Sequence, residues 1–182
     1  MTVITLTTDF GTKDGFVGTM KGVIWGICPS AHIADISHEI APQNVLEGAF
    51  VLWRAERFFP AGTVHIAVVD PGVGTARRAM ATRLGNMFYV GPDNGLFTPL
   101  IEDALQASAE TSFINLDNPQ YHLPSVSRTF HGRDVFAPVG AHLAAGVPLE
   151  RLGTPFTDPV LLPLPQPELM ADGYEAQISL VD

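Results

Sequence analysis

Apolar and polar positions along the 182 residues fall into short blocks whose period changes from block to block. Residues 3–8 form an unbroken β-branched and apolar run, which predicts a buried strand. The run breaks at Asp9-Phe10-Gly11-Thr12-Lys13-Asp14-Gly15. From 16 to 27 the apolar residues Phe16, Met20, Val23, Ile24 and Ile27 recur at helical spacing, and Pro29 ends the helix. Gly18, Gly22 and Gly26 lower its helix propensity. They make sense if the helix lies close against a sheet or another backbone. Residues 32–36 read as a second strand with the polar exit Ser37-His38-Glu39. Residues 44–59 read as a helix with Val45, Ala49, Leu52, Trp53 and Phe58 apolar, and 64–69 as a third strand.

This β, α, β, α, β alternation predicts an α/β fold, a mostly parallel sheet sandwiched by helices. Residues 79–84 and 86–90 read as a strand pair joined tightly through Gly85, and Gly91-Pro92-Asp93-Asn94-Gly95 as a turn. A short helix over 98–107, a strand over 112–116 and a loop over 118–127 follow. The last predicted helix, 132–145, carries Val135, Phe136, Val139 and Leu143 on its apolar side. Pro138 fits only near a first turn, so that helix starts late or is kinked. Prolines at 148, 155, 159, 163, 165 and 167 predict an extended linker. The expected organisation is an α/β domain over 1–147, a proline-rich linker over 148–172, and over 173–182 the first strand of a further, truncated domain.

Composition narrows the class. Hydrophobic residues make up 46% and charged residues 16%, a core-rich globular balance. The net charge is −9, and Arg77-Arg78 is the one basic pair, which argues against nucleic acid or an anionic membrane as partner. A single cysteine, Cys28, excludes an internal disulfide and a cysteine zinc site, and reads as a core thiol at a helix end. Neither a leader pattern nor a long apolar run stands out, so a cytoplasmic location is expected.

In an open α/β sheet ligands bind beyond the carboxyl ends of the strands. Asp9, Ser37-His38 and Asp70 each follow a strand and should gather at one sheet edge. Asp9, with Asp14 in the same glycine-rich loop, can accept two hydrogen bonds from a sugar diol; the plainer reading is a helix cap or Asx-turn. Asp9-Phe10-Gly11-Thr12 is also similar to the Asp-x-Asp-x-Thr loop of haloacid dehalogenase phosphatases, but Gly11 stands where the general acid belongs. Asp70, Arg77 and His131 together can hold and polarise a water; otherwise they are a surface ion pair and a capping histidine. Gly72-Val73-Gly74-Thr75 with Arg77-Arg78 could cradle phosphate, although its spacing is neither that of a P-loop nor Gly-x-Gly-x-x-Gly. His38, His65, His122 and His131 fall into no metal-ligand motif, and His65, inside a strand, reads as structural.

Thr7-Thr8-Asp9-Phe10-Gly11, Pro42-Gln43-Asn44, Val69-Asp70-Pro71-Gly72-Val73-Gly74-Thr75, Gly91-Pro92-Asp93-Asn94-Gly95 and Thr129-Phe130-His131-Gly132-Arg133-Asp134 occur in this order. Together they resemble the S-adenosylmethionine hydroxide adenosyltransferases, adenosine-forming SAM hydrolases related to the bacterial fluorinase and chlorinase. The resemblance implies attack of activated water at C5′ of S-adenosylmethionine, giving adenosine and methionine without cofactor or metal. It implies that Asp70, Arg77 and His131 hold the water, that Asp9 binds the ribose hydroxyls, and that Asn44, Thr129 and Phe130 line the pocket. The halogenases carry Tyr in place of Asp70 and Ser where Gly132 stands, so Asp70 favours water over halide. The resemblance further implies a C-terminal β-barrel and a homotrimer whose sites lie between neighbouring subunits. On that reading the 182 residues hold half of each pocket, and turnover by this chain alone is expected to be weak. The alternatives are a SAM- or nucleoside-binding module without turnover, and a Mg²⁺-dependent phosphatase.

Overall fold

Val3–Thr8 (β1) lies in the middle of three parallel strands, with His32–Ser37 (β2) on one side and Val64–Val68 (β3) on the other. The computed structural model describes residues 2–165, 168–170 and 173–175. Between these strands run the helices α1 (Phe16–Ile27) and α2 (Val45–Glu56). β4 (Ala79–Leu84) and β5 (Met87–Pro92) follow, then α3 (Thr98–Gln106), β6 (Thr111–Asn115), α4 (Ala137–Ala144) and β7 (Thr154–Phe156). The seven strands form one sheet in the order β2-β1-β3-β5-β4-β6-β7. β8 (Glu168–Met170) and β9 (Gly173–Glu175) pair antiparallel with each other. The remainder of the strand expected over 173–182 lies outside the described residues.

The sheet is mixed, which corrects the expectation of a mostly parallel one. β3 pairs parallel with β5, but β4 is antiparallel to both β5 and β6, and β7 to β6. The cause is local. Gly85-Asn86 is too short to do anything but reverse the chain, and Gly85 has a φ of +57°. The hairpin therefore inserts one reversed strand, β4, between β5 and β6. The proline-rich stretch also differs from a plain linker at its start: a 3-10 turn at Leu149–Arg151 and strand β7 belong to the main body.

Alternation along the strands sends Ile4, Leu6, Val64, Ile66 and Val68 to one face, where α1 and α4 cover them. Ala67, Val69, Met80 and Tyr89 face α2 and α3. The helix-to-sheet contacts made possible by glycine are at Gly140 of α4, where a Cβ would run into Ile66, and Gly48 of α2, where it would lie 2.9 Å from Val69 Cγ2. Gly18, Gly22 and Gly26 are different from what their spacing predicted. A Cβ on any of them would meet nothing within 4 Å, because α1 turns Val17, Met20 and Ile24 inward and the glycines outward. The helix expected over 132–145 begins as a π-helical turn, Gly132–Phe136, and becomes α-helical at Ala137. Pro138 then falls in the first α turn, where its missing N–H costs nothing. Cys28 is buried at the C-cap of α1.

Candidate active site

β1 and β3 are neighbours whose chains leave the sheet in different directions, β1 towards α1 and β3 towards β4. Their carboxyl ends therefore open a crevice, the place where α/β folds bind ligands. A cleft of about 160 Å³ lies there, lined by Asp9, Phe10, Gln43, Val68, Asp70, Val73, Thr129, Phe130, His131 and Gly132. A larger cavity of about 600 Å³ lies at the far side of the sheet, among Ile101, Phe113, Pro155 and Phe156, and contains none of the candidate residues.

Asp70 and Arg77 meet because the loop between them folds back. Thr75 donates through its N–H and its Oγ1 to the Gly72 carbonyl, at 3.1 and 2.7 Å. Gly72 leaves room for the returning side chain: a Cβ there would sit 3.3 Å from Arg77 Cγ. Arg77 Nε donates to Asp70 Oδ1 at 2.9 Å and to Oδ2 at 3.1 Å, and Nη2 also donates to Oδ2. Both side chains are withdrawn from water, at 5% exposure for Asp70 and 11% for Arg77.

His131 arrives from the other end of the sequence. Gly74 has a φ of +77°, and a Cβ there would collide with the Arg128 carbonyl, so only glycine lets the two loops touch. Behind His131, the fully buried Asp134 ties the loop down. Its Oδ2 accepts from Ser127 N–H at 2.9 Å and from Ser127 Oγ at 2.7 Å, while Arg133 Nε donates to its Oδ1 at 2.6 Å. Arg77 Nη2 then donates to His131 Nδ1 at 2.9 Å. A guanidinium can only donate, so this Nδ1 carries no proton and the ring is neutral. Burial, and next the Arg77 charge, hold His131 below the ordinary histidine value. Asp70 and His131 face the cleft; Arg77 bridges them from behind, stacked 5.3 Å over the Phe136 ring.

Asp9 lines the same cleft. Its Oδ2 accepts the Gln43 N–H at 2.8 Å, which leaves the rest of the carboxylate for a ligand. Gln43 entered the sequence reading only within the motif Pro42-Gln43-Asn44, with no role of its own. It contributes a backbone N–H, aimed by a φ of +64° that a non-glycine residue seldom adopts. Thr129 and Phe130 are in place, with Phe130 edge-on to Phe10 and Phe16 at 5.8 and 4.9 Å. Asn44 is not among the lining residues. It caps α2, accepting the Glu47 N–H at 3.1 Å and donating to Glu47 Oε2 at 3.1 Å. Asp14 is exposed before α1 and does not line the cleft. Arg78 is no phosphate ligand either: it is committed to Asp93 and Asp158, at 2.7 and 2.8 Å. His38 is buried against Thr8, 2.9 Å from its Oγ1.

Residues 4–153 match the family model described as the SAM hydroxide adenosyltransferase N-terminal domain. The chain belongs to the SAM hydroxide adenosyltransferase family. An (R)-S-adenosyl-L-methionine hydrolase from Salinispora arenicola is 46% identical over 98% of this chain and 68% of its own length. The crystal structure of an uncharacterized conserved protein from Thermotoga maritima superposes with a TM-score of 0.86 at 42% identity, over 90% of this chain. The chain spans 62% of that solved structure. A fluorinase from Actinoplanes sp. is more distant, 31% identical over 91% of this chain and 62% of its own length. Within the family fold of this SAM hydroxide adenosyltransferase domain, no described helix is long and apolar enough to cross a membrane.

Proposed function

We propose that this protein hydrolyses S-adenosyl-L-methionine to adenosine and L-methionine. The observation that carries the reading is the hydrogen-bonded set Asp70–Arg77–His131 at a cleft that also presents Asp9. A water beside Asp70 donates one proton to its carboxylate and aims a lone pair at C5′. As the O–C5′ bond forms, the C5′–S⁺ bond breaks and its electron pair stays on sulfur. Methionine leaves as a neutral thioether, and the water's proton passes to Asp70 and then to solvent. The leaving group is already activated by its charge, so the chemistry calls for no metal or cofactor. What the protein supplies is aim and a prepared acceptor. Arg77 keeps that acceptor oriented, and neutral His131 holds Arg77 in turn. Asp9, with one oxygen satisfied by Gln43, is suited to the ribose diol.

Fluoride or chloride is disfavoured as nucleophile, because a halide pocket needs donors and Asp70 places acceptor oxygens there. The cleft, at about 160 Å³, is below the roughly 300 Å³ at the lower end for enclosed ligand sites. It suits the reacting centre and leaves adenine and methionine to be held by another wall. A following β-barrel domain in a homotrimer, as the family resemblance implies, would provide one.

Product analysis tests the reading. Protein expressed from its complete gene, incubated with S-adenosylmethionine, should release adenosine and methionine in equal amounts. Turnover should persist in chelator and disappear in Asp70→Ala. Bound substrate without adenosine would leave a binding module; halogenated adenosine in chloride or fluoride would overturn the role given to Asp70.

A further inference from the structure

The turn Gly91-Pro92-Asp93-Asn94-Gly95 contributes nothing to the lining of the cleft, yet its two polar residues grip the chain on both sides of the Asp70–Arg77 pair, Asn94 through its side chain and Asp93 through its main-chain N–H and its carboxylate. Asn94 Nδ2 donates to the Val69 carbonyl at 2.9 Å, one residue before Asp70. Asp93 N–H donates to the Arg78 carbonyl at 3.0 Å, one residue after Arg77. The same carbonyl accepts from Arg77 Nη1 at 3.3 Å. Asp93, 4% exposed, also takes Arg78 Nε on Oδ2 at 2.7 Å and the Val160 N–H on Oδ1 at 2.8 Å. The turn reaches both places because of Gly91, where a Cβ would collide with the Ala67 carbonyl of β3.

Closing the turn does not require these long bonds. Thr98 already fastens the Gly95 carbonyl through its N–H at 3.0 Å and its Oγ1 at 2.7 Å. Asn94 Nδ2 and Asp93 Oδ2 are spent on segments 25 and 15 residues away in sequence, the two that carry the carboxylate and the guanidinium, while Asn94 Oδ1 accepts the Leu96 N–H at 3.2 Å within the turn. Resting on the hydrolase reading above, the geometry points to Asn94 and Asp93 as positioning residues that set the spacing and aim of Asp70 and Arg77. The Asn94 side chain fixes the peptide leading into Asp70; the Asp93 main-chain N–H holds the Arg78 carbonyl on which Arg77 Nη1 rests, and the Asp93 carboxylate holds the Arg78 side chain. Alignment of a nucleophile tolerates little displacement, so a loosened bracket acts on the chemical step more than on substrate binding.

The test compares Asn94→Ala and Asp93→Asn with the parent protein, each expressed from its complete gene and checked for its folded fraction by thermal melting. In folded Asn94→Ala, kcat should fall about tenfold or more while KM for S-adenosylmethionine stays within about threefold. A readout independent of turnover is the NMR titration of His131, whose ring is influenced by Arg77, Asp70, Asp134 and His122. Arg77 helps hold that titration low, so a loosened guanidinium should let it move up in pH. Unchanged kcat together with an unchanged His131 titration in folded Asn94→Ala overturns the bracket; the same result in folded Asp93→Asn overturns the part given to the Asp93 carboxylate. Undiminished turnover in Arg77→Lys would instead strike the hydrolysis reading, and the His131 titration would still report whether the bracket holds Arg77.

Discussion

His65 gives a stability prediction whose size follows from its surroundings. It sits fully buried in the central strand β3, its Nδ1 2.7 Å from Thr5 Oγ1, its ring stacked on Tyr89 at 5.2 Å and edge-on to Phe59. Its Nε2 is buried without a partner among the described residues, so a charged ring could satisfy at most one of its two N–H groups. Burial lowers its pKa from 6.5 to about 4. Between these values the unfolded chain binds a proton that the native protein refuses, so the contribution is fully present above about pH 6.5 and is lost as pH falls towards 4. At pH 4.5 the loss is about 2–3 kcal/mol, and its limit at lower pH about 3–4 kcal/mol. His122, His131 and His142 are also lowered, chiefly by burial, while burial raises Glu56, so the whole-protein pH dependence is a sum. His65→Gln isolates one member of it. Urea unfolding followed by circular dichroism at pH 7.5 and 4.5 should show the variant losing about 2–3 kcal/mol less than the parent between the two pH values. Equal losses in both proteins would refute the argument, as would a His65 NMR signal titrating near its ordinary value.

Two further outcomes bear on the site. Arg77→Lys keeps the charge but loses the planar fork that reaches Asp70 through Nε and Nη2 and His131 through Nη2; kcat for adenosine release should drop about a hundredfold, with KM less affected. Gly74→Ala forces an L side chain into a left-handed φ and against the Arg128 carbonyl, so the melting temperature should fall by the equivalent of about 1–3 kcal/mol and turnover should drop with it; an unchanged melt and rate would mean that the two loops need not touch.

Much of the fold was legible because period reports burial directly. Residues 3–8 and 64–69 read as central strands, and the structure places β1 and β3 there. The hairpin through Gly85 was legible too, but its neighbours were not. Whether β4 lies at the sheet's edge or between β5 and β6 depends on where α3 delivers β6, which no local pattern encodes. The glycines of α1 misled for a related reason: a small residue signals that something could approach, and only packing decides whether anything does. Asn44 carried a readable signal that pointed elsewhere, since Asn followed three residues later by Glu47 is a helix-capping pattern. Gln43 lay within a readable motif, but its role was not legible, because what it offers is a main-chain N–H.

The basic pair shows most clearly what spacing alone leaves open. Arg77 and Arg78 are chemically alike, and both lie near carboxylates. At the entry to a strand, neighbouring side chains point to opposite sides. Arg77 therefore turns to Asp70 and His131, and Arg78 turns to Asp93 and Asp158. One dipeptide thereby joins Asp70, on the cleft, to the buried Asp93 in the turn behind it. The Arg77 guanidinium rests in turn on the Arg78 carbonyl, through Nη1 at 3.3 Å, so the two arginines of a glycine-rich loop are anchored on opposite sides by different carboxylates.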